Sequence, residues 1–201
     1  MFVRNLTENS VVYTSNVYLV TGSDRKEDCR NTLIDVGRDP VILTVLMDLV
    51  HDKKPLVEQV FLTHFHYDHV SMLPALIDRY HPDVYAFSDN LDGVTHIIRD
   101  GDVLTVGDQE AEVIHLGGHT YNSLCLYCRE EKALFVGDNT LYIGTATNSF
   151  ERQFVEAYQR ICEYDIAVIY PGHGCPLTND CNRLLKESLS NVLSSHINDD
   201  M

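Results

Sequence analysis

The segment "FLTHFHYDH", from Phe61 to His69, places three histidines and one aspartate within six residues, directly after an apolar run. His64 and His66 are two positions apart, so on an extended chain their side chains point the same way and can bind one ion together. Asp68 and His69 follow at the turn into a predicted helix. Packing has no need for such a cluster, and burying it without partners would be unfavourable. The segment therefore predicts a metal site, with the first pair at one ion and the second pair at another.

The composition predicts a folded protein with an acidic surface. The 201 residues are 44% hydrophobic and no linker-like segment divides them, so we expect one domain over residues 1–201. The formal net charge of −15 disfavours nucleic acid as a partner, because such a surface repels phosphates. No apolar stretch reaches the roughly 20 residues that span a bilayer, and the amino terminus lacks a signal-peptide core. The expected location is therefore the cytoplasm, without a membrane partner.

The pair "CLYC", from Cys125 to Cys128, is the one CxxC motif in the chain. It lies in an apolar run that is predicted to be a strand, where positions three apart face opposite ways. No second half-site completes a zinc motif, and a chain with its own core does not need disulfides. Both residues are expected to be ordinary reduced cysteines of the core.

Four apolar runs, each predicted to be a buried strand, lead to a side chain that can bind a metal: His64, His119, Asp138 and His173. A rigid scaffold presents ligands where its strands end, and Asp138 offers a carboxylate that could lie between two ions. Amphipathic segments predict four helices, over residues 41–51, 71–80, 150–164 and 179–196. Because hairpins are mixed with strand–helix units, the order favours an α+β fold with two sheets and outer helices over a fully parallel sheet.

The order of the motifs, HxHxDH, then GHT, GD and PGHG, resembles the metallo-β-lactamase fold superfamily over nearly the whole chain. The resemblance implies a four-layer αββα sandwich with the metal site at one edge of the sheets. It implies seven metal ligands: His64, His66 and His119 for one ion, Asp68, His69 and His173 for the other, and Asp138 between them. Two divalent ions are expected, with zinc as the first choice and iron or manganese as alternatives.

The resemblance also implies hydrolysis, in which a metal-bridging hydroxide attacks an electrophilic carbonyl or phosphorus. Asp68 would be catalytic as well as a ligand, by orienting the nucleophile or passing a proton to the leaving group. The segment from His119 to Tyr142 is similar to the glyoxalase II-like (hydroxyacylglutathione hydrolase-like) branch, whose members cleave thioesters. We therefore expect a metal-dependent hydrolase of a small thioester, ester or lactone.

Two departures from that branch argue against glutathione as the carrier. "HTYNS" replaces the Pro-Gly that usually follows the ligand histidine, and the loop from Thr140 to Phe150 lacks the basic residue that recognises glutathione. Three tyrosines in these segments and in the opening motif are the candidate substrate-binding residues: Tyr67, Tyr121 and Tyr142.

Other functions stay open from the sequence. A persulfide dioxygenase, which resembles this chain in its motifs, would use a single iron held by His64, His119 and Asp138, and a lactonase is a further possibility. A non-enzymatic module could keep metal only for stability, but a structural site does not need two ions and an open position. A small-molecule substrate is expected in each enzymatic case, and a homodimer is left open.

Overall fold

Two mixed sheets pack face to face, and helices cover their outer faces. The structure is a computed structural model, and it describes residues 1–22, 29–49, 56–146 and 149–198. The strands are β1 (Phe2–Asn5), β2 (Tyr18–Thr21), β3 (Thr32–Ile34), β4 (Gln59–Phe61), β5 (Asp83–Ala86), β6 (His96–Ile97), β7 (Val103–Val106), β8 (Gln109–His115), β9 (Leu124–Cys128), β10 (Ala133–Gly137), β11 (Ser149–Glu151), β12 (Val168–Pro171) and β13 (His196–Asn198). The helices are α1 (Val41–Asp48), α2 (Tyr67–Val70), α3 (Leu73–Tyr80), α4 (Arg152–Glu163) and α5 (Cys181–Leu193). The first sheet has the order β1-β2-β3-β4-β5-β6, the second has the order β12-β10-β9-β8-β7, and β11 pairs with β13.

Three apolar clusters separate four layers. The central cluster lies between the two sheets and includes Phe61 of β4 and Phe135 of β10. A second cluster packs the first sheet against α1 and α3, with Leu46 fully buried. The third packs the second sheet against α4 and α5, with Tyr158 fully buried. The predicted α+β class and αββα order are confirmed, because each sheet buries one face against the other sheet and one against helices.

Strand β9 shows how these layers follow from the sequence. All five of its residues are buried, because the strand is covered on both faces. Cys125 faces the cluster beneath α4 and α5, whereas Cys128 faces the cluster between the sheets. Both cysteines are unoxidised core residues on opposite faces, as the sequence predicts.

Strand direction brings the candidate ligands to one edge. Strands β10 and β12 are parallel, and β8 runs in the same direction because both β8 and β10 are antiparallel to β9. Their carboxyl ends therefore lead into His119, Asp138 and His173 at a single edge. At that edge the backbone joins the two sheets, since Leu124 N donates to Thr63 O at 2.8 Å.

Apolar runs in the sequence predict nine of the strands, including β2, β3, β5 and β7, but not β1, β6, β11 and β13. Each of these last four is at most four residues long and partly or fully exposed, so none carries an apolar run. The predicted helix over 41–51 ends at Asp48, and its last two positions, 50 and 51, lie outside the described residues. The closing helix is shorter than the predicted 179–196. Within the described ranges, every helix is too short or too polar to cross a bilayer. The assignment of residues 1–201 to one domain stays a prediction.

Candidate metal centre

The opening motif begins as an extended segment and ends as a helix. His64 follows β4, and His66 keeps an extended backbone as the residue that precedes α2. Asp68 and His69 lie in α2 and are buried, with the His69 side chain fully enclosed. The change from extended to helical backbone turns the two halves of the motif toward different positions, as the sequence predicts.

The structure brings all seven predicted ligands together in two groups. Their candidate donor atoms lie within 4.8 Å of one another in each group: His64, His66, His119 and Asp138 in the first, and Asp68, His69 and His173 in the second. In the first group, His66 Nδ1 and His119 Nε2 face each other at 2.9 Å. In the second, His173 Nε2 is 3.1 Å from Asp68 Oδ2.

Asp138 lies between the two groups. Its Oδ2 is 3.7 Å from His119 Nε2 in the first group and 3.5 Å from His173 Nε2 in the second. Its Oδ1 is 3.2 Å from His69 Nε2, also in the second group. A single carboxylate thus contacts histidines on both sides, which is the position expected of a bridging ligand.

Donor atoms without well-aligned hydrogen bonds show that these residues fit a metal. Among the described residues, the Nε2 atoms of His64, His69 and His173 and the Oδ1 atom of Asp138 are buried and make no well-aligned hydrogen bond, although His69 Nε2 lies 3.2 Å from Asp138 Oδ1 and His173 Nε2 lies 3.1 Å from Asp68 Oδ2. Buried polar atoms in folded proteins are almost always paired. Imidazole nitrogen and carboxylate oxygen are ligands of zinc, iron and manganese, so divalent ions at this edge would satisfy all four atoms.

Burial and neighbouring charges shift the pKa values of the predicted ligands in different directions. Burial lowers the pKa of His64 to about 4 and also lowers the pKa of His119. Burial acts in the same direction on His69, but the carboxylates of Asp35 and Asp138 outweigh it and raise its pKa to about 10. Burial would raise the pKa of Asp138, yet neighbouring His69 lowers it to about 2. At neutral pH His69 therefore carries a proton that an ion must displace.

Asp35 is a functional residue that the sequence analysis missed. It follows β3, is 2% exposed, and has a left-handed backbone with φ of 57°. Its Oδ1 accepts from Thr63 N at 2.8 Å, and its Oδ2 accepts from Thr63 Oγ1 at 2.7 Å. The same Oδ2 lies 2.7 Å from His69 Nδ1, so Asp35 fixes the ring with its Nε2 directed at the centre. A signal was present, because "TLIDVG" is another apolar run that ends in a carboxylate.

Two glycines allow the backbone to approach the centre. A Cβ on Gly172 would collide with the Asp138 carboxylate and come within 2.8 Å of His69 Cε1. Gly137 has a φ of 54°, and a Cβ there would come 2.7 Å from the Cβ of Thr63. The glycine before His173 is therefore required by the close packing of three predicted ligands.

Exposed tyrosines follow or interrupt the ligand motifs in the chain. Tyr67, the first residue of α2, lies between His66 and Asp68, and its hydroxyl accepts a hydrogen bond from Arg38. Tyr121 follows His119 by two residues and accepts from Asn90 at 3.2 Å, while Tyr142 lines an apolar cleft. All three are exposed, and their contact with substrate stays a prediction.

Tyr13 is a further aromatic residue, beside His173, and no pattern in the sequence points to it. Its ring stacks on His173 with centroids 5.2 Å apart and an interplanar angle of 15°. The residue lies in the segment between β1 and β2, far from the ligand motifs in the chain. Only the folded structure brings it to the centre, so a local sequence pattern could not reveal it.

The sequence profile of the Metallo-beta-lactamase superfamily matches residues 11–173, a range that includes all seven donors. The chain belongs to this superfamily. Among solved structures, it is similar to ETHE1 from Myxococcus xanthus, with a TM-score of 0.67, 22% identity and coverage of 96% of this chain and 88% of the other. The BLEG-1 B3 metallo-beta-lactamase gives a TM-score of 0.65 at 18% identity, with coverage of 94% and 97%. These likenesses confirm the predicted superfamily fold.

Sequence relatives within the superfamily carry more specific names. An atrochrysone carboxyl ACP thioesterase of Paecilomyces divaricatus is 30% identical over 192 residues, which are 92% of this chain and 59% of that protein. The lactamase-like protein nscB of Neosartorya fischeri is 29% identical over 164 residues, or 80% of this chain and 48% of that protein. The chain thus spans about half the length of these curated relatives. The glyoxalase II-like branch stays a prediction.

The substitution Asp35→Asn tests the support of His69. We expect zinc affinity to fall about 10- to 100-fold, because the ring loses the carboxylate that orients it and strengthens it as a donor. The measurement is zinc titration in competition with a chromophoric chelator. The matched control is Asp39→Asn, a buried aspartate of the same loop whose carboxylate instead accepts from Val41 N at 3.0 Å. Wild-type affinity in the Asp35 variant would contradict the assigned role.

Metal binding should weaken as the pH falls. A pKa of about 10 favours protonated His69 at lower pH, so each ion bound there must displace one proton. We expect the apparent zinc affinity to rise about tenfold per pH unit between pH 7.5 and 9. Chelator competition across this range measures the slope, and Asp35→Asn should reduce it because the variant removes a carboxylate that raises this pKa. An affinity that does not change with pH would show that His69 is neutral before the metal binds.

Proposed function

We propose that the protein is a dinuclear metal-dependent hydrolase that cleaves a small thioester. The observation that carries the proposal is the pair of donor groups that meet at Asp138, seven side chains at one edge of the sandwich. The 30% identity to a protein named as an ACP thioesterase supports thioesters over other electrophiles. Esters and lactones, which present the same carbonyl to the centre, are secondary substrates of this proposal.

Two ions account for the second donor group better than one. The second group brings the Asp68 carboxylate and the imidazoles of His69 and His173 close enough to hold an ion of their own. Without an ion their contacts are poorly aligned: His173 Nε2 lies 3.1 Å from Asp68 Oδ2 and His69 Nε2 lies 3.2 Å from Asp138 Oδ1, yet neither nitrogen makes a hydrogen bond of good geometry. A second ion would take these donors, and the Asp138 carboxylate contacts histidines of both groups.

The burial of the donors gives the centre an enclosed side and an open side. The side chains of His64 and His69 are buried and form the enclosed side. His119 and His173 have side chains 31% and 32% exposed, and His66 is also exposed, so a substrate can approach there. When bound, the metals would supply Lewis-acid activation of the carbonyl and of water.

Asp68 has the clearest catalytic role among the residues of the chain. Its carboxylate is buried and lies 3.1 Å from His173 Nε2, beside the open side of the centre. A carboxylate in this position can orient the attacking water and then transfer its proton to the departing thiolate. Its backbone is held as well, since Asp68 O accepts from Ser15 N at 3.1 Å.

A mononuclear iron persulfide dioxygenase is the alternative that the same residues allow. Its three ligands, His64, His119 and Asp138, belong to one donor group in the structure. That reaction would leave the second group without a metal, so the donor geometry favours the dinuclear hydrolase. Metal content and oxygen use distinguish the two.

The proposal predicts about two divalent ions per chain and cleavage of thioesters without oxygen uptake. Elemental analysis of protein purified without chelators measures the metals, and thiol release from acyl thioesters of N-acetylcysteamine measures turnover. A matched panel of lactones, phosphodiesters and β-lactams tests the selectivity for thioesters. Removal of metal by a chelator should abolish turnover, and added zinc should restore it. One tightly bound iron with oxygen consumed on a persulfide would instead establish the dioxygenase.

The substitution Asp68→Asn should lower kcat for thioesters about 10²- to 10⁴-fold, since the amide cannot take up and transfer the proton. Its oxygen can still bind metal, so elemental analysis should find metal content close to that of the wild type. Asp39→Asn is again the control, because Asp39 is buried but its carboxylate accepts from Val41 N and from the Ser10 hydroxyl rather than contacting the donors. Full activity in the Asp68 variant would show that the residue is only a ligand or only structural.

A further inference from the structure

An apolar cleft of about 240 Å³ opens beside the metal centre, between the ends of β10 and β12 and the helix α5. Its floor is formed by Val136, Ile169 and Leu185, which are all at least 94% buried. Its mouth is formed by Tyr142, Cys175 and Leu177, which are all exposed. The cleft is therefore open to a ligand from solvent and lined with apolar surface inside, the usual character of a small-molecule site.

The chain path places this cleft next to the proposed reaction centre. Asn139, on its wall, directly follows Asp138, and both Pro171 and Cys175 are two residues from His173. Two residues of extended chain span at most about 7 Å, so two sections of the wall lie within that reach of a predicted metal ligand. The wall of the cleft is therefore close to the proposed reaction centre, although none of the seven predicted ligands lines the cleft itself.

The cleft is suited to the acyl part of a thioester rather than to its polar carrier. None of the described residues that line it carries a charge. Its main polar side chain, Asn139, is already used, because its Oδ1 accepts from His119 N at 3.3 Å and its Nδ2 donates to Val136 O at 3.0 Å. A carrier arm with amide groups would find few free partners here and would be desolvated without compensation.

We propose that this cleft is the acyl-binding site and that it takes a short to medium apolar acyl chain. The assignment of the chain to a thioester rests on the proposed function. The volume is below the 300–1,000 Å³ typical of drug-sized ligands, so the cleft accommodates the acyl chain but not the carrier. The predicted substrate contact of Tyr142 would then be with the acyl chain as it passes the mouth.

A chain-length series tests this assignment. In the wild type, kcat/KM for N-acetylcysteamine thioesters should rise about fourfold per methylene from acetyl toward octanoyl, until the cleft is full. The substitution Leu184→Trp, on the wall contributed by α5, should reduce the octanoyl-to-acetyl ratio of kcat/KM at least tenfold. Leu193→Trp, an exposed leucine at the end of the same helix, is the matched control and should keep the wild-type ratio. Equal ratios in all three proteins would overturn the proposal.

Protection of Cys175 tests the cleft without any turnover. Cys175 lies at the mouth and is exposed, so iodoacetamide should modify it, and peptide mass spectrometry can follow that site alone. Octanoate should slow the modification at least fivefold in the metal-loaded protein, whereas acetate, which brings the same carboxylate to the metals, should not. In Leu184→Trp the protection by octanoate should be lost. Equal modification rates with octanoate and acetate would overturn the acyl site.

The two measurements separate this inference from the function on which it rests. Thioester cleavage with no chain-length preference and no octanoate protection would leave the hydrolase in place and refute the cleft. Octanoate protection in a protein that cleaves no thioester would retain the acyl-chain site and refute the thioesterase.

Discussion

Buried donor atoms with imperfect partners are the constraint on which the rest of the structure depends. Three histidine nitrogens and one carboxylate oxygen converge at one edge of the sandwich without a well-aligned hydrogen bond among the described residues. Crowding buried polar atoms whose hydrogen bonds are not fully made lowers the stability of the fold. The three apolar clusters must supply that stability in the metal-free protein. Metal binding would then return it, so we expect metal and folding to be strongly coupled.

The buried carboxylate of Asp35 makes this arrangement specific. It binds both the backbone and the hydroxyl of Thr63 and also holds His69, thereby fixing the start of the opening motif relative to its end. Because Thr63 Oγ1 lies 3.1 Å from His64 Nδ1, the same network reaches the first donor group. One residue after β3 thus positions ligands for both proposed ions, which explains why a buried charge is retained in an otherwise apolar layer.

The fold, and the meeting of the predicted ligands at one edge, could be predicted from the sequence because the signals are largely local. His64, His66, Asp68 and His69 are crowded into one short segment, and the inner strands of the two larger sheets are apolar runs of recognisable length. The edge strands β1 and β13 were missed because they are short and exposed, so packing rather than pattern decides their conformation. Tyr13 and the cleft were missed for a related reason, since both arise only when distant segments meet. Asp35 was missed because a lone aspartate at a strand end is common in turns.

The two halves of the sandwich contribute to the centre in different ways. The first sheet and the helix α2 that follows it supply the buried donors His64 and His69, and Asp35 after β3 holds the His69 ring. Substitution of any of these buried residues would disturb the network. The second sheet supplies His119, Asp138 and His173 from the loops that follow its strands. Other residues of the last two loops, among them Asn139 and Cys175, line the cleft. If the cleft binds the acyl chain as proposed, substitutions in those loops and on α5 should alter which acyl group fits without disturbing the Asp35 network. This division explains why the opening motif predicts the metals but says little of the substrate: apart from Tyr67, the residues proposed to contact the substrate lie in loops of the second sheet or on the wall of the cleft.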